Sequence, residues 1–182
     1  MTAKHVWRLG PLIAGCCVVA SCYIATHYSG WQYQGGQLLN NGLLSRPRFK
    51  AQFPSIALDT AGGYEYTFRR FPADDAVVML ATPSEPTVAS IEQLATEVSL
   101  RLIDQNDQVR CAGIGSPRGK AAERLIVSSS RGVTGLWHEK CAQLELTNCN
   151  PCRLYISVGP VDPSTPHVWL VPTLQGGGWE LP

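Results

Sequence analysis

Short runs of alternating apolar and polar residues recur along the C-terminal part of the chain. Residues 64–69 place three aromatic side chains on one face and polar side chains on the other, the pattern of a half-buried β-strand. Residues 76–80 are apolar throughout and predict a buried strand. Residues 98–103 alternate again, and the turn residues 104–107 separate them from residues 109–111. This spacing predicts a β-hairpin.

The remaining pattern completes an all-β prediction. Residues 113–119 are rich in glycine and predict a loop, and residues 87–96 are the one stretch with helix-forming composition. About eight strands, at most one or two short helices and no alternation of strands with helices indicate an antiparallel β-sandwich, immunoglobulin-like in general architecture. The later strands are predicted over residues 124–128, 141–147, 153–158 and 167–171.

The N-terminal segment has no charged residue from Leu9 to Thr26 and follows two cations, Lys4 and Arg8. This is the pattern of a secretory signal peptide or of a short membrane anchor. A helix over this segment would be about 27 Å long, close to the hydrocarbon thickness of a bilayer. Both interpretations therefore stay open, and either one exports the rest of the chain.

Two cysteines in this segment follow small residues in the manner of a lipoprotein cleavage site. Val19–Cys22 (VASC) resembles a lipobox, which predicts lipidation of Cys22. Ile13–Cys16 (IAGC) has the same form but leaves only about seven residues after Arg8, near the lower limit for a signal peptide. Cleaved secretion and an uncleaved anchor are the alternatives. The aromatic belt of an uncleaved anchor would consist of Tyr28, Trp31 and Tyr33.

The chain therefore divides at two boundaries. Residues 1–22 form the signal peptide or anchor, whose apolar run is residues 9–26, and residues 49–182 form the sandwich domain. Residues 23–48 contain scattered glycine and asparagine without sustained periodicity, so they are predicted to be a tether between the membrane and the domain. A first edge element that packs late is the alternative for this segment.

The charge of the chain argues against a polyanionic partner. Among 182 residues, fifteen Lys and Arg oppose fourteen Asp and Glu, and thirteen oppose fourteen once Lys4 and Arg8 are set aside. Nucleic-acid binding needs an excess of cations on one face. We therefore expect the partner to be neither DNA nor RNA, and we expect no cofactor.

Cysteine usage also reflects export. Three of the seven cysteines lie in the signal segment, and the other four form an even set in the predicted domain. Disulfides are the expected state of such a set in an oxidising compartment, and the three connectivities stay open. The four candidates are Cys111, Cys141, Cys149 and Cys152.

The segment Cys149–Cys152 (CNPC) admits two other chemistries. A C-x-x-C loop resembles the active site of thioredoxin-like oxidoreductases, in which a helix N-terminus lowers the pKa of the first thiol. Here the flanking residues predict strands, which favours a structural disulfide. Zinc binding is a further alternative, since His138 and Cys141 could join Cys149 and Cys152 around one ion.

Other catalytic patterns are incomplete. Residues 113–120 look like a phosphate loop, but Ile114 and Ala121 stand where a P-loop needs glycine and serine or threonine. No G-x-S-x-G motif occurs in the sequence. The segment is therefore predicted to be an exposed basic loop that presents Arg118 and Lys120.

Aromatic residues are the remaining candidates for binding. Trp137, Trp169 and Trp179, with Tyr155, can supply a stacking platform. The run Val168–Val171 favours a buried position for Trp169, whereas Trp179 follows three glycines and is open to a partner. The predicted binding residues are accordingly Trp137, Trp179, Arg118 and Lys120.

The chain resembles small uncharacterised lipoproteins of proteobacteria that carry one β-sandwich behind a lipobox. The resemblance depends on Val19–Cys22, the hairpin over Val98–Cys111 and the strand Arg153–Val158. It implies a membrane-anchored, periplasm-facing protein of the bacterial cell envelope. We expect a non-enzymatic module that binds a protein partner as an accessory, adaptor or inhibitor. A thiol-disulfide or zinc-dependent protein that uses Cys149 and Cys152 is the alternative.

Overall fold

The structure is a computed structural model of the chain. The predicted anchor with Cys22, the residue Trp179 and most of the predicted helix over 87–96 lie outside the described residues. The structure describes residues 32–33, 37–40, 49–73, 75–82, 91, 94–120, 124–130, 133–161 and 167–176. Within these ranges, no helix is long and apolar enough to cross a membrane.

The described residues form twelve strands and one short 3-10 helix, Glu139–Cys141. The strands are β1 (Gln32–Tyr33), β2 (Gln37–Asn40), β3 (Phe49–Gln52), β4 (Ile56–Ala57), β5 (Gly62–Arg69), β6 (Val77–Ala81), β7 (Val98–Ile103), β8 (Val109–Gly115), β9 (Ile126–Ser130), β10 (Val133–Trp137), β11 (Cys152–Val158) and β12 (Trp169–Gly176).

These strands build two antiparallel sheets that pack together. Sheet 1 has the order β1-β5-β11-β7-β8. Sheet 2 has the order β2-β3-β12-β6-β10-β9, and β4 pairs with the start of β12. The prediction of an all-β sandwich is therefore confirmed.

The core lies between the sheets and follows from the alternation along each strand. Phe68 and Leu154 of sheet 1, and Leu80 and Leu174 of sheet 2, are completely buried. Phe53, which follows β3, contacts Phe68 across the two layers with ring centroids 6.0 Å apart. Along each strand, the residues next to an inward-facing one point away from the opposite sheet, so each strand has one inner and one outer side.

Strand β6 confirms the prediction made from its uninterrupted apolar run. All of its residues are buried, with exposures of 6% or less. β6 lies inside sheet 2 between β12 and β10, so neither edge of its backbone is free.

The predicted hairpin is β7 and β8, which pair from Val98 opposite Gly115 to Ile103 opposite Val109. Asp104 fixes the turn, because its Oδ1 accepts hydrogen bonds from the backbone N–H groups of Asn106 at 2.9 Å and Gln108 at 3.0 Å. An aspartate that accepts from the backbone two residues later is a common way to close a turn.

Some predicted boundaries are wrong. The segment 141–147 is not a strand: Cys141 ends the 3-10 helix, and Leu144 forms only an isolated bridge with Ala76. Gln143 adopts a φ of 56°, which an extended strand does not allow. Other limits shift by a few residues, since β8 includes residues 113–115 and β9 begins at 126.

Two stretches of the segment predicted as a tether pair with the sheets. Gln32 and Tyr33 lie opposite Arg69 and Phe68, and the strand β2 lies opposite β3. These pairings correspond to the alternative of an edge element, because β1 and β2 each end a sheet. The other residues of 23–48 lie outside the described ranges.

Candidate functional site

Two of the most exposed large apolar side chains in the described residues lie on β8. Val109 is 48% exposed and Ile114 is 52% exposed. Val109, Ala112 and Ile114 lie on one side of sheet 1, the side that faces away from sheet 2. Val109 shares this side with Ala112 because the pairing with β7 shifts register between Leu102 and Ile103. We call these three residues the β8 stripe. Since β8 ends sheet 1, the stripe lies at the border of the sandwich.

Cations flank the β8 stripe. Arg101 lies opposite Ala112, and the turn after β8 presents Arg118 and Lys120. All three side chains are exposed, and the described residues supply no ion pair to any of them. Hydrogen bonds hold this turn, because the backbone N–H of Arg118 donates to the carbonyl of Leu94 at 3.1 Å. Apolar side chains with cations beside Ala112 and beyond Ile114 suit an apolar segment that carries acidic residues.

The structure separates the four predicted binding residues. Arg118 and Lys120 adjoin the β8 stripe. Trp137 is half-buried on the outer side of sheet 2, where it lies opposite Met79 and Ile126. Trp137 therefore faces away from the stripe, and Trp179 lies outside the described residues.

A disulfide fixes the border strand β8. Cys111 of β8 is bonded to Cys141, and both residues are buried. Cys141 ends the 3-10 helix that follows β10 of sheet 2. The bond therefore ties the end strand of sheet 1 to a segment continuous with sheet 2.

Beside this disulfide, Gly113 packs against the buried imidazole of His138. A Cβ atom at position 113 would lie 2.5 Å from the Cγ atom of His138, closer than real contacts allow. The imidazole is held in place, because its Nδ1 accepts a hydrogen bond from the backbone N–H of Lys140 at 3.2 Å. Glycine is therefore required at this point of β8.

We expect Gly113→Ala to lower the free energy of unfolding by about 1–3 kcal/mol, because the added methyl must displace a buried ring. Urea denaturation measures this loss. Gly63→Ala on β5 is the matched control, since no atom lies within 4 Å of a Cβ at that position. An equal effect of the two substitutions would contradict the packing of Gly113 against His138.

The second disulfide joins Cys149 to Cys152 at the entry to β11. Both cysteines are buried, and Cys152 begins a strand. Thioredoxin-like activation needs a helix N-terminus at the first thiol, and the described residues around Cys149 form a turn and a strand instead. The loop Cys149–Cys152 is also hydrogen-bonded to the chain after β5, because the backbone N–H of Arg70 donates to the carbonyl of Cys149 at 2.8 Å.

The zinc alternative needs His138, Cys141, Cys149 and Cys152 around one ion. The two disulfides divide these cysteines between different bonds. Among the described residues, no three His, Cys, Asp or Glu side chains are grouped so that they could hold a metal. The structure thus does not bring the four residues together.

Sequence reasoning missed a cluster formed by Asp59, His167 and Trp169. Trp169 is 45% exposed, so its expected burial is wrong. The alternation of β12 explains this position, because Leu170 takes the inner side and Trp169 the outer side. In the local sequence, only the spacing of His167 and Trp169 indicated that their side chains lie together, since residues two apart in an extended chain share a side. Asp59 joins them only through the fold.

No protein-family model matches the chain, and a search of curated proteins finds no significantly similar sequence.

Proposed function

We propose that this protein is an exported, membrane-tethered β-sandwich that binds a protein partner in the bacterial cell envelope without catalysing a reaction. The two disulfides support the location, because such bonds persist in oxidising, extracytoplasmic compartments. The lipobox-like Val19–Cys22 supports lipidation at Cys22 and a position facing the periplasm. The two packed antiparallel sheets support an immunoglobulin-like general architecture.

The observation that carries this proposal is the exposure of Val109 and Ile114 on the β8 stripe. Exposed apolar side chains grouped inside a polar rim mark surfaces that a partner covers. Arg101, Arg118 and Lys120 then select a partner with acidic residues beside its apolar contact. The partner is therefore an apolar and acidic protein segment that lies across β8.

Photo-crosslinking tests where the partner binds. A photoreactive amino acid at position 114 of the full-length protein, expressed in its own cells, is expected to form one dominant adduct, which mass spectrometry identifies. The same amino acid at position 126 is the matched control, because Ile126 is also exposed but lies on β9 of sheet 2. Adducts that form at 126 and not at 114 would contradict the proposed surface.

We expect Ile114→Asp to weaken binding of the identified partner at least tenfold, or about 1.4 kcal/mol, because a charge replaces an apolar contact of the proposed surface. Calorimetry or surface plasmon resonance with the purified proteins measures this loss. Ile126→Asp is expected to leave the affinity unchanged. The proposal fails if Ile114→Asp binds as the unsubstituted protein does.

Reversal of the rim charges gives an independent readout. Arg118→Glu combined with Lys120→Glu is expected to slow association and to reduce its dependence on salt, since these cations attract an acidic partner. An unchanged association rate would exclude the acidic character of the partner and leave only the apolar contact.

A further inference from the structure

The cluster of Asp59, His167 and Trp169, which we call the Trp169 cluster, forms where β4 pairs with the start of β12. Trp169 lies opposite Ala57, and the backbone N–H of Leu58 donates to the carbonyl of Val168 at 3.0 Å. These backbone contacts bring Asp59, just after β4, next to His167, just before β12. The cluster is thus built on paired backbone.

The hydrogen bonds of the cluster define one protonation state of His167. Its Nδ1 contacts Oδ2 of Asp59, and its Nε2 lies 2.6 Å from Nε1 of Trp169. The indole N–H can only donate, so Nε2 must accept and carry no proton. The carboxylate accepts, so Nδ1 carries the proton. Neutral imidazole in this tautomer is the state that satisfies both bonds.

These bonds orient the indole and leave its surface open. The polar atom of Trp169 is satisfied by His167, so the 45% of the residue that remains exposed is mainly apolar ring. The imidazole stands at 84° to the indole with centroids 5.2 Å apart, and therefore does not stack on it. The result is an oriented, exposed aromatic surface, and the bond to His167 reduces the side-chain entropy that remains to be lost on binding.

Polar acceptors lie directly beside this ring. The side chain of Asp59 is 27% exposed, and its Oδ1 lies 3.5 Å from the hydroxyl of Thr60. The hydrogen bond from His167 holds the pKa of Asp59 below its usual value, so the carboxylate stays charged. Oδ1 can therefore accept hydrogen bonds from a ligand next to the aromatic ring.

We propose that the Trp169 cluster binds a neutral hexopyranose ring, which stacks its C–H face on the indole and directs neighbouring hydroxyls to Asp59. A pyranose presents an apolar face and a rim of hydroxyl donors, and the cluster presents an aromatic face and a carboxylate in the same arrangement. The negative charge of Asp59 disfavours acidic sugars.

The surroundings favour a sugar over a protein partner at this position. The other exposed large apolar residues within the described ranges are Val109, Ile114 and Ile126, which lie on β8 and β9. Both strands end their sheets, whereas β12 is internal to sheet 2. Trp169 thus stands apart from the β8 stripe, with Asp59, Thr60 and His167 as its polar neighbours. A single aromatic ring with hydrogen-bonding groups suits a small polar ligand.

His167 acts as a positioning residue in this site. Its Nε2 accepts the indole N–H of Trp169, and its Nδ1 contacts Asp59, the charged group that contacts the imidazole in the described residues. Removal of this acceptor leaves the indole N–H without its partner. We therefore expect loss of the acceptor to release Trp169 from its orientation and to weaken sugar binding.

Binding is tested by NMR on the full-length protein in detergent micelles, with the indole N–H signals followed during titration. The probes are cellotetraose and chitotetraose. We expect the Trp169 signal, identified by its loss in Trp169→Phe, to shift saturably with a Kd of about 1 mM, the range of a small contact area. The proposal is overturned if neither sugar causes a saturable shift. It is also overturned if tetramethylammonium shifts the signal and the sugars do not, because the ring would then bind cations instead of sugars.

Two substitutions separate the roles of the ring and of His167. Trp169→Ala is expected to weaken sugar binding at least about tenfold by saturation-transfer NMR, while Trp137→Phe on β10 leaves it unchanged. His167→Gln keeps one acceptor and one donor, so it is expected to bind as the unsubstituted protein does. His167→Phe removes both and is expected to weaken sugar binding.

Equal affinities of His167→Phe and His167→Gln for the sugar would contradict the positioning role of His167. Competition of the sugar by the protein partner crosslinked at position 114 would assign Trp169 to the partner interface and overturn the sugar site. Failure of the sugar titration alone leaves the Ile114 experiments unaffected, so the two proposals are tested separately.

Discussion

Replacement of both Cys111 and Cys141 by alanine is expected to lower the free energy of unfolding by about 3–4 kcal/mol. The two cysteines are 30 residues apart in sequence, and a bond across such a loop removes a large part of the conformational freedom of the unfolded chain. The bond also ties β8 to the segment after β10, so the loss is expected to begin at the border of the sandwich. Urea denaturation without reducing agent measures the change.

The second disulfide provides the control for this measurement. Cys149 and Cys152 are only 3 residues apart, so their replacement by alanine is expected to cost about 1–2 kcal/mol. Both pairs are buried, and both variants lose two sulfur atoms, so loop length is the main difference between them. A larger effect from the Cys149 and Cys152 pair would show that loop length does not govern stability in this protein.

Leu80→Ala is expected to destabilise the sandwich by about 3 kcal/mol, within the usual range for a buried leucine in a rigid core. Leu80 is completely buried in β6, opposite Pro172 on one side and Leu136 on the other. Neighbouring strands are hydrogen-bonded on both edges, so the backbone has little freedom to fill the cavity. Thermal or urea unfolding of the full-length protein measures the loss.

Ile114→Ala is the comparison for this substitution. It also removes an apolar side chain from a strand, but Ile114 is 52% exposed at the border of sheet 1. The change in stability is expected to stay within about 0.5 kcal/mol, the usual size for a surface position. Similar losses for Leu80→Ala and Ile114→Ala would mean that the β8 stripe is covered by the protein itself, which would also remove the basis of the proposed partner surface.

The two proposed sites lie on different parts of the sandwich. The β8 stripe belongs to the border of sheet 1, and the Trp169 cluster to an internal strand of sheet 2. If both proposals hold, the domain can contact a sugar on one sheet and a protein partner on the other at the same time. The Cys111–Cys141 bond is made by the same strand that carries the stripe.

The strands were predictable wherever local pattern and local turn chemistry agreed. The aromatic alternation over residues 64–69 becomes β5, and Asp104 closes the hairpin of β7 and β8 through its own side chain. Prediction failed over 141–147, because the Cys111–Cys141 bond and the positive φ of Gln143 override the apolar alternation there. The exposure of the basic side chains Arg118 and Lys120 also followed from local sequence.

The candidate sites were predictable only in part. Arg118 and Lys120 came from composition, but the apolar members of the same surface, Val109 and Ile114, alternate in the same way as core residues do. Burial of such a residue depends on which side of the strand meets the other sheet, and this packing is a property of the whole chain. Trp169 was misjudged for a related reason, since its apolar neighbours predicted burial.

The sequence by itself determined the all-β composition, the hairpin, the even set of cysteines and the near-neutral charge, because each depends on residue types at short spacing. Tertiary structure alone decided which cysteines pair, which strands lie at the borders and which side of each strand meets solvent. It also brought Asp59 to His167 across 108 positions of the chain. Contacts between residues so far apart depend on how the sheets pack, and no local pattern encodes that arrangement.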